Sequence, residues 1–192
     1  MSTSFAGPTA TMYLADLGAE VIKIERPGGD DARAWGPPFI GGESAWFAAA
    51  NRNKRSLVVD LRQAEGAEVL HRLIATTQVF VENVNPQKLE RMGLDPDALC
   101  ARHPDLVYCA FSGFGLTGPD SHLPGYDLIA QARSGMMSVT GAAGGSPQRV
   151  SAPVSDVVTG MCATVAILAA LRRVERGDGG GLVDVSLLDS DL

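Results

Sequence analysis

Apolar and polar positions along this chain follow two periods, and the switches between them mark out helices and strands. Residues 8–17 place Met12, Tyr13, Leu14 and Leu17 at helical spacing, closed by Gly18. Residues 21–25 then read as a strand, with Arg26-Pro27-Gly28-Gly29 as its turn. Residues 44–50 predict a short helix and residues 56–61 a strand. Residues 65–76 predict a helix with Val69, Leu70, Leu73 and Ile74 on one face. Residues 79–81 form a buried strand ending at Glu82-Asn83, followed by short helices at 86–92 and 96–102. Residues 106–111 are a strand ending at Ser112-Gly113; 126–139 and the longer 156–174 are helices, and 182–187 is a last strand.

Strands alternating with helices imply βαβ units, so the expected class is α/β: a Rossmann-like open, mostly parallel sheet flanked by helices. Ligands of such sheets bind beyond the carboxyl ends of the strands. That directs attention to four junctions: Glu25-Arg26, Asp60-Leu61-Arg62, Glu82-Asn83 and Ser112-Gly113. The Gly-rich stretch 140–147 reads as a surface loop. A length of 192 residues suits one domain. The first helix has no strand before it, and the chain stops just after a strand that would be an unpaired edge. Both ends therefore read as cut, as in a fragment or one half of an enzyme.

Composition narrows the function. The net charge is −6, without the basic excess that a nucleic-acid binder carries. Cys100, Cys109 and Cys162 are widely spaced and read as free thiols in a reducing compartment. Residues 1–4 lack a basic and apolar leader, and no 18-residue apolar run appears, so neither secretion nor a membrane span is expected. The apolar stretch 161–171 reads as a core helix, and the expected location is the cytoplasm. His71, His103 and His122 do not cluster, so no metal site is expected. Gly113-Phe114-Gly115 comes near a dinucleotide loop, but Leu116-Thr117-Gly118-Pro119 ends any helix start there. Asp156 opens the long helix, and on the residues alone it reads as a cap that satisfies free N–H groups and meets the dipole.

Several segments, in order and over nearly the whole chain, carry a resemblance. They are Ala6-Gly7-Pro8 with Leu14 through Asp30; Asn51-Arg-Asn-Lys-Arg-Ser56 with Asp60-Leu61; Val81-Glu-Asn83 with Leu89-Glu-Arg-Met-Gly93; and Ser112-Gly-Phe-Gly115 with Thr117-Gly-Pro119. Pro124-Gly-Tyr-Asp127, Val154-Ser-Asp156 with Gly160, and Val183 through Asp189 complete the set. Together they are similar to the family III (CaiB/BaiF) CoA-transferases, a group that includes formyl-CoA transferase, carnitine CoA-transferase and α-methylacyl-CoA racemase.

The resemblance implies roles by position. Asp156 falls on the catalytic aspartate, and Tyr126 hydrogen-bonds in the active site. Arg26 falls on a contact to the CoA adenine or phosphate, and Val59 and Arg62 on nucleotide contacts. Asn83 and Val84 fall beside the pantetheine, Arg91 and Met92 near the CoA phosphates, and Ser4, Phe5 and Ala6 on the loop that approaches the thioester. Taken singly, the arginines are ordinary surface charges. The implied fold is the N-terminal part of the CoA-binding large domain, residues 1–192, with the small domain, its Gly-rich loop and the C-terminal return segment absent.

The implied activity moves CoA between carboxylic acids through an aspartyl-CoA thioester on Asp156. Coenzyme A and acyl-CoA enter as substrates, no metal or tightly bound cofactor is required, and a carboxylic acid is the acceptor. Full-length relatives form interlocked homodimers, so the expected partner is a second copy or a complementing C-terminal chain. The racemase branch resembles this region but has a His where Tyr126 stands, followed by the same Asp127. A phenol, ordinarily near ~10, is a poor base at neutral pH, which argues for transfer over racemisation. Asp127 itself reads as a cap for the next helix. A racemase-type isomerase and an inactive CoA-binding fragment or subunit are the alternatives.

Overall fold

A computed structural model describes residues 1–192, apart from the side chains of residues 86 and 87. The elements alternate as the apolar pattern requires. Helix α1 (Ala6–Asp16) leads into β1 (Val21–Glu25), and a small hairpin, β2 (Phe39–Ile40) and β3 (Glu43–Ser44), precedes α2 (Ala45–Asn51). Next come β4 (Lys54–Val58), α3 (Ala64–Ile74), β5 (Val79–Glu82), α4 (Pro86–Arg91), α5 (Pro96–Arg102) and β6 (Val107–Ser112). The last four are α6 (Asp127–Arg133), α7 (Val154–Glu175), β7 (Gly181–Ser186) and α8 (Leu187–Asp191).

The pairing is parallel in both main ladders: β1 with β4, and β5–β6–β7 with β6 central. Among the described residues, only the β2–β3 hairpin is antiparallel. Strand β6 shows why a parallel strand is apolar on both faces. Val107, Cys109 and Phe111 pack under α1 and α7, whereas Tyr108 and Ala110 pack with Leu70, Ile74 and Leu99 of α3 and α5. The result is the expected α/β architecture, helices on both sides of parallel strands.

Four details depart from the expected elements. The strand expected at 56–61 lies at Lys54–Val58, because the chain turns away once the Val59 N–H has bonded to Glu25 O at 2.8 Å. The helix expected at 126–139 divides: Gly135, with φ of 85°, ends α6 and starts a 3-10 turn at Met136–Val139. A short helix, α8, capped by Ser186, follows the last strand, and that strand, β7, pairs along its length with β6 and stands at the edge of its sheet. Finally, α7 begins two residues before the helix expected at 156–174 and ends one residue after it. Its 22 residues include an 18-residue stretch with a mean hydropathy of 1.9, long and apolar enough on those grounds to cross a membrane. One of its faces is packed instead, with Ser155, Thr159, Gly160, Ala163 and Ile167 buried.

Among the described residues, the two ladders form separate sheets, with no strand of one paired to a strand of the other. Between them lies a cavity of about 460 Å³, lined by Val21, Ile22 and Ile24 on one side and Val79, Phe80 and Val81 on the other. Residues 1–3 bridge its end. The Met1 ammonium donates to Val81 O at 2.6 Å, Lys23 Nζ to Ser2 O at 2.8 Å, and the Thr3 N–H to Asn83 Oδ1 at 3.0 Å. Burial of the ammonium lowers its pKa to about 5.

Candidate functional site

Two groups of side chains gather at the carboxyl ends of the strands. The first surrounds a cavity of about 580 Å³, within the range of small-molecule sites. Its wall includes Arg26 after β1, Val59 and Arg62 after β4, Asn83 and Val84 after β5, and Met92 after α4. These six residues, drawn from four separate stretches of sequence, meet because parallel strands deliver their following loops to one edge.

The charges around this cavity are held in place. Arg26 is paired with Asp31 and also donates to Gly29 O at 3.2 Å. Arg62 forms a two-pronged pair with Asp60, at 2.8 Å for each contact. The Arg62 hydrogen bonds hold the Asp60 carboxyl at about 2. Beneath the wall, Glu25 is 4% exposed and takes both Arg33 prongs, at 2.8 and 2.7 Å, plus the Ser56 hydroxyl at 2.6 Å. Arg33 is the main reason its carboxyl falls to about 2. Lys23 closes the layer through Asp30 at 2.7 Å. The guanidinium groups of Arg26 and Arg62 on this wall are thus already oriented by carboxylates.

The second group surrounds Asp156. Helices α1 and α7 run in parallel, with Gly160 against Ala6 O and Thr9, and Thr164 Oγ1 donating to Ala10 O. A side chain at Gly160 would sit 3.0 Å from Ala6 O, so glycine permits this approach. Asp156 lies one turn before Gly160 on α7, and in the segment leading into α1 Ser4 has a φ of 66°. Phe5 stacks on Trp46 with ring centroids 4.8 Å apart.

Asp156 is not the cap that its position suggested. Helix α7 begins at Val154 with Pro153 before it and no side-chain cap from that residue. The first N–H groups of a helix need acceptors, and Asp127 supplies one from outside. Its Oδ1 accepts the Ser155 N–H at 2.8 Å and the Asp156 N–H at 3.3 Å. Asp127 therefore caps α7 although it is the first residue of α6. The Asp156 carboxylate is left without a hydrogen-bond donor among the described residues, and its residue is 8% exposed. Burial first, then Asp127 and Asp191, raise its pKa to about 7. An acid of that kind is a carboxylate in reserve, poorly solvated and unpaired.

Tyr126 precedes Asp127 as the N-cap residue of α6 and is 61% exposed. Its place above β6 is set by Gly113 and Gly125, whose backbones cross so closely that a side chain on Gly125 would lie 2.1 Å from Gly113 Cα.

The structure thus gathers Arg26, Val59, Arg62, Asn83, Val84 and Met92 at one cavity, and sets Ala6 against Gly160 of α7, with Ser4 and Phe5 just before it in the chain. Arg91 does not join them. It is exposed and outside the cavity wall, where Lys88, one turn earlier on α4, faces in. The Asn83 amide is already occupied, donating to Thr3 O at 2.9 Å and accepting from the Thr3 N–H at 3.0 Å. Gln131 and Asp191 also belong near Asp156. A polar residue between Ala130 and Ala132 was the one sequence signal for Gln131, and Asp191 had none.

The family model for CoA-transferase family III matches residues 1–192. The chain is 47% identical over 188 residues to the succinyl-CoA:glutarate CoA-transferase of Mus musculus, covering 97% of this chain and 43% of that protein. It is 46% identical to the succinate–glutarate CoA-transferase of Agrobacterium fabrum, covering 96% and 48% respectively. Among solved structures, a CaiB/BaiF family protein from Brucella suis superposes with a TM-score of 0.95 at 42% identity, over 100% of this chain and 52% of that one. The chain therefore spans about half the length of the relatives it matches.

Proposed function

Because this chain belongs to CoA-transferase family III, we propose that it carries the CoA site and the nucleophile of an enzyme moving CoA between carboxylic acids, with Asp156 as the nucleophile. The observation that carries this reading is the Asp156 carboxylate: buried, without a donor or cation among the described residues, and faced by Asp127 and Asp191. Two relatives named for succinyl-CoA and glutarate, or succinate and glutarate, support short dicarboxylic acids as donor and acceptor.

The steps conserve charge and need no net proton. The Asp156 carboxylate attacks the donor thioester carbonyl; the C–S bond breaks, giving a mixed anhydride and CoA thiolate. The thiolate attacks the aspartyl carbonyl, forming aspartyl-CoA thioester and releasing the donor carboxylate. The acceptor carboxylate attacks that thioester, regenerating an anhydride and thiolate. Attack of the thiolate on the acceptor acyl carbon completes transfer and restores Asp156. Poor solvation favours this exchange, since a carboxylate stripped of water is a stronger nucleophile and the anhydride is shielded from hydrolysis. Arg26 and Arg62 would orient the CoA phosphates, and Tyr126 would hydrogen-bond at the reacting end. As a phenol rather than an imidazole, Tyr126 supports transfer over α-proton exchange.

The test is intact mass and peptide mapping after mixing the chain with succinyl-CoA and hydroxylamine. A hydroxamate at Asp156, absent from Asp156→Asn, is the expected result. A hydroxamate at another carboxylate, or none when the complementing remainder of a full-length relative is supplied, overturns the assignment.

A further inference from the structure

Gln131 lies in the middle of α6 and is 0% exposed. A buried amide is costly unless its hydrogen-bonding groups are satisfied, and here they are. Gln131 Oε1 accepts the Val150 N–H at 2.9 Å. That fixes Nε2 toward Val150 O at 3.3 Å and toward Asp127 Oδ2 at 2.7 Å. The other Asp127 oxygen takes the Ser155 and Asp156 N–H groups that open α7. The amide thus links Val150 to Asp127 and, through Asp127, to Asp156.

We propose that Gln131 is a positioning residue for Asp156, acting through Asp127. Helix α7 takes no side-chain cap from Pro153, so its first turn is fixed by a carboxylate 28 residues away in sequence. A carboxylate at the first position of α6 is free to rotate unless something holds its second oxygen. Gln131 holds it and, by gripping both Val150 backbone groups, ties the same unit to the segment leading into α7. The charges facing Asp156 are Asp127 of α6 and Asp191 of α8, the latter engaged by Ser155 Oγ at 2.5 Å. Loosening Asp127 therefore alters both where Asp156 sits and how readily it ionises. The inference rests on Asp156 being the nucleophile.

The test uses the full chain with Gln131→Met, which keeps volume and burial while removing both ends of the amide. Two readouts are taken: the rate of hydroxamate formation at Asp156 from succinyl-CoA across pH, and the carboxyl-carbon NMR titration of Asp156. Expected are a fall in trapping of roughly 10- to 100-fold, as a misplaced reacting group produces, CoA affinity within about twofold of wild type, and an Asp156 midpoint moved from about 7. An unchanged rate and midpoint would overturn the proposal. Should Gln131→Met fail to fold, a swap decides. Asp127→Asn turns an amide N–H toward the Gln131 donor, and adding Gln131→Glu restores a donor–acceptor pair with the same total charge. Recovery of trapping in the double variant supports the relay, and no recovery rejects it. If wild type forms no hydroxamate, the nucleophile reading fails, while the NMR titration still decides the positioning.

Discussion

The Asp127 carboxylate accepts the backbone N–H of Asp156 at 3.3 Å, so one acid anchors the turn on which the other is carried. Their closeness raises the proton affinity of Asp156, after burial, to about 7 from an ordinary 3.8. A folded-state carboxyl with a raised pKa binds protons that the unfolded chain has released, so its contribution to stability falls as pH rises from about 4 to 7. Asp156→Asn should therefore stabilise the chain by roughly 2–4 kcal/mol at pH 8, at ~1.4 kcal/mol per pKa unit. The gain should vanish below about pH 4. Urea unfolding at the two pH values checks this, and an equal effect at both would contradict it. Acyl trapping should rise through about pH 7 as Asp156 ionises.

Glu25 has the opposite sign. Its carboxyl is lowered to about 2, chiefly by Arg33, so the stability it confers is present above about 4.5 and is lost as pH falls toward 2. Glu25→Gln should cost about 1–3 kcal/mol at pH 7, since it breaks a buried charge-assisted network whose Arg33 partner is partly solvated. Its denaturation midpoint should also depend less on pH between 4.5 and 2 than that of wild type. A parallel pH dependence in both proteins would rule this account out.

Gly125→Ala places a methyl group 2.1 Å from Gly113 Cα, against backbone that cannot rotate away. A loss of about 1–3 kcal/mol is expected from such overpacking. Because Tyr126 and Asp127 follow directly, trapping at Asp156 should drop even under conditions where the variant is fully folded. Thermal unfolding and trapping measured together separate the two effects, and a wild-type trapping rate in the folded variant would count against this coupling.

Arg62→Ala should leave the melting temperature essentially unchanged, because its ion pair with Asp60 is solvent-exposed. CoA affinity should fall by about tenfold, the cost of losing a charge-assisted phosphate contact. Titration calorimetry with CoA and with dephospho-CoA reads this directly. Equal affinity for CoA in variant and wild type would remove Arg62 from the site.

Strand β6 was readable from the sequence because both its faces are buried and its residues are almost all apolar. The cavity wall was readable because topology alone sends Arg26, Arg62 and Asn83 to one edge, and the family resemblance singled out the same positions. What escaped depends on long-range geometry. The rotation of α4 decides that Lys88 rather than Arg91 faces the cavity, and that rotation is set by packing against other elements. The Asn83 amide is taken by Thr3, 80 residues away, and the Asp127 carboxylate reaches α7 across 28 residues. No local period encodes such contacts, so Asp156 looked like an ordinary cap.

The seam between the β1–β4 ladder and the β5–β7 ladder has a consequence for ligand binding. The larger cavity straddles it, with Arg26, Val59 and Arg62 contributed by one ladder and Asn83 and Val84 by the other. A molecule gripped from both sides acts as a rivet. Its binding energy goes partly into making two halves respond as one, since whatever binds the native state alone raises the cost of opening it. Occupancy of this cavity would then be felt across the strands as cohesion.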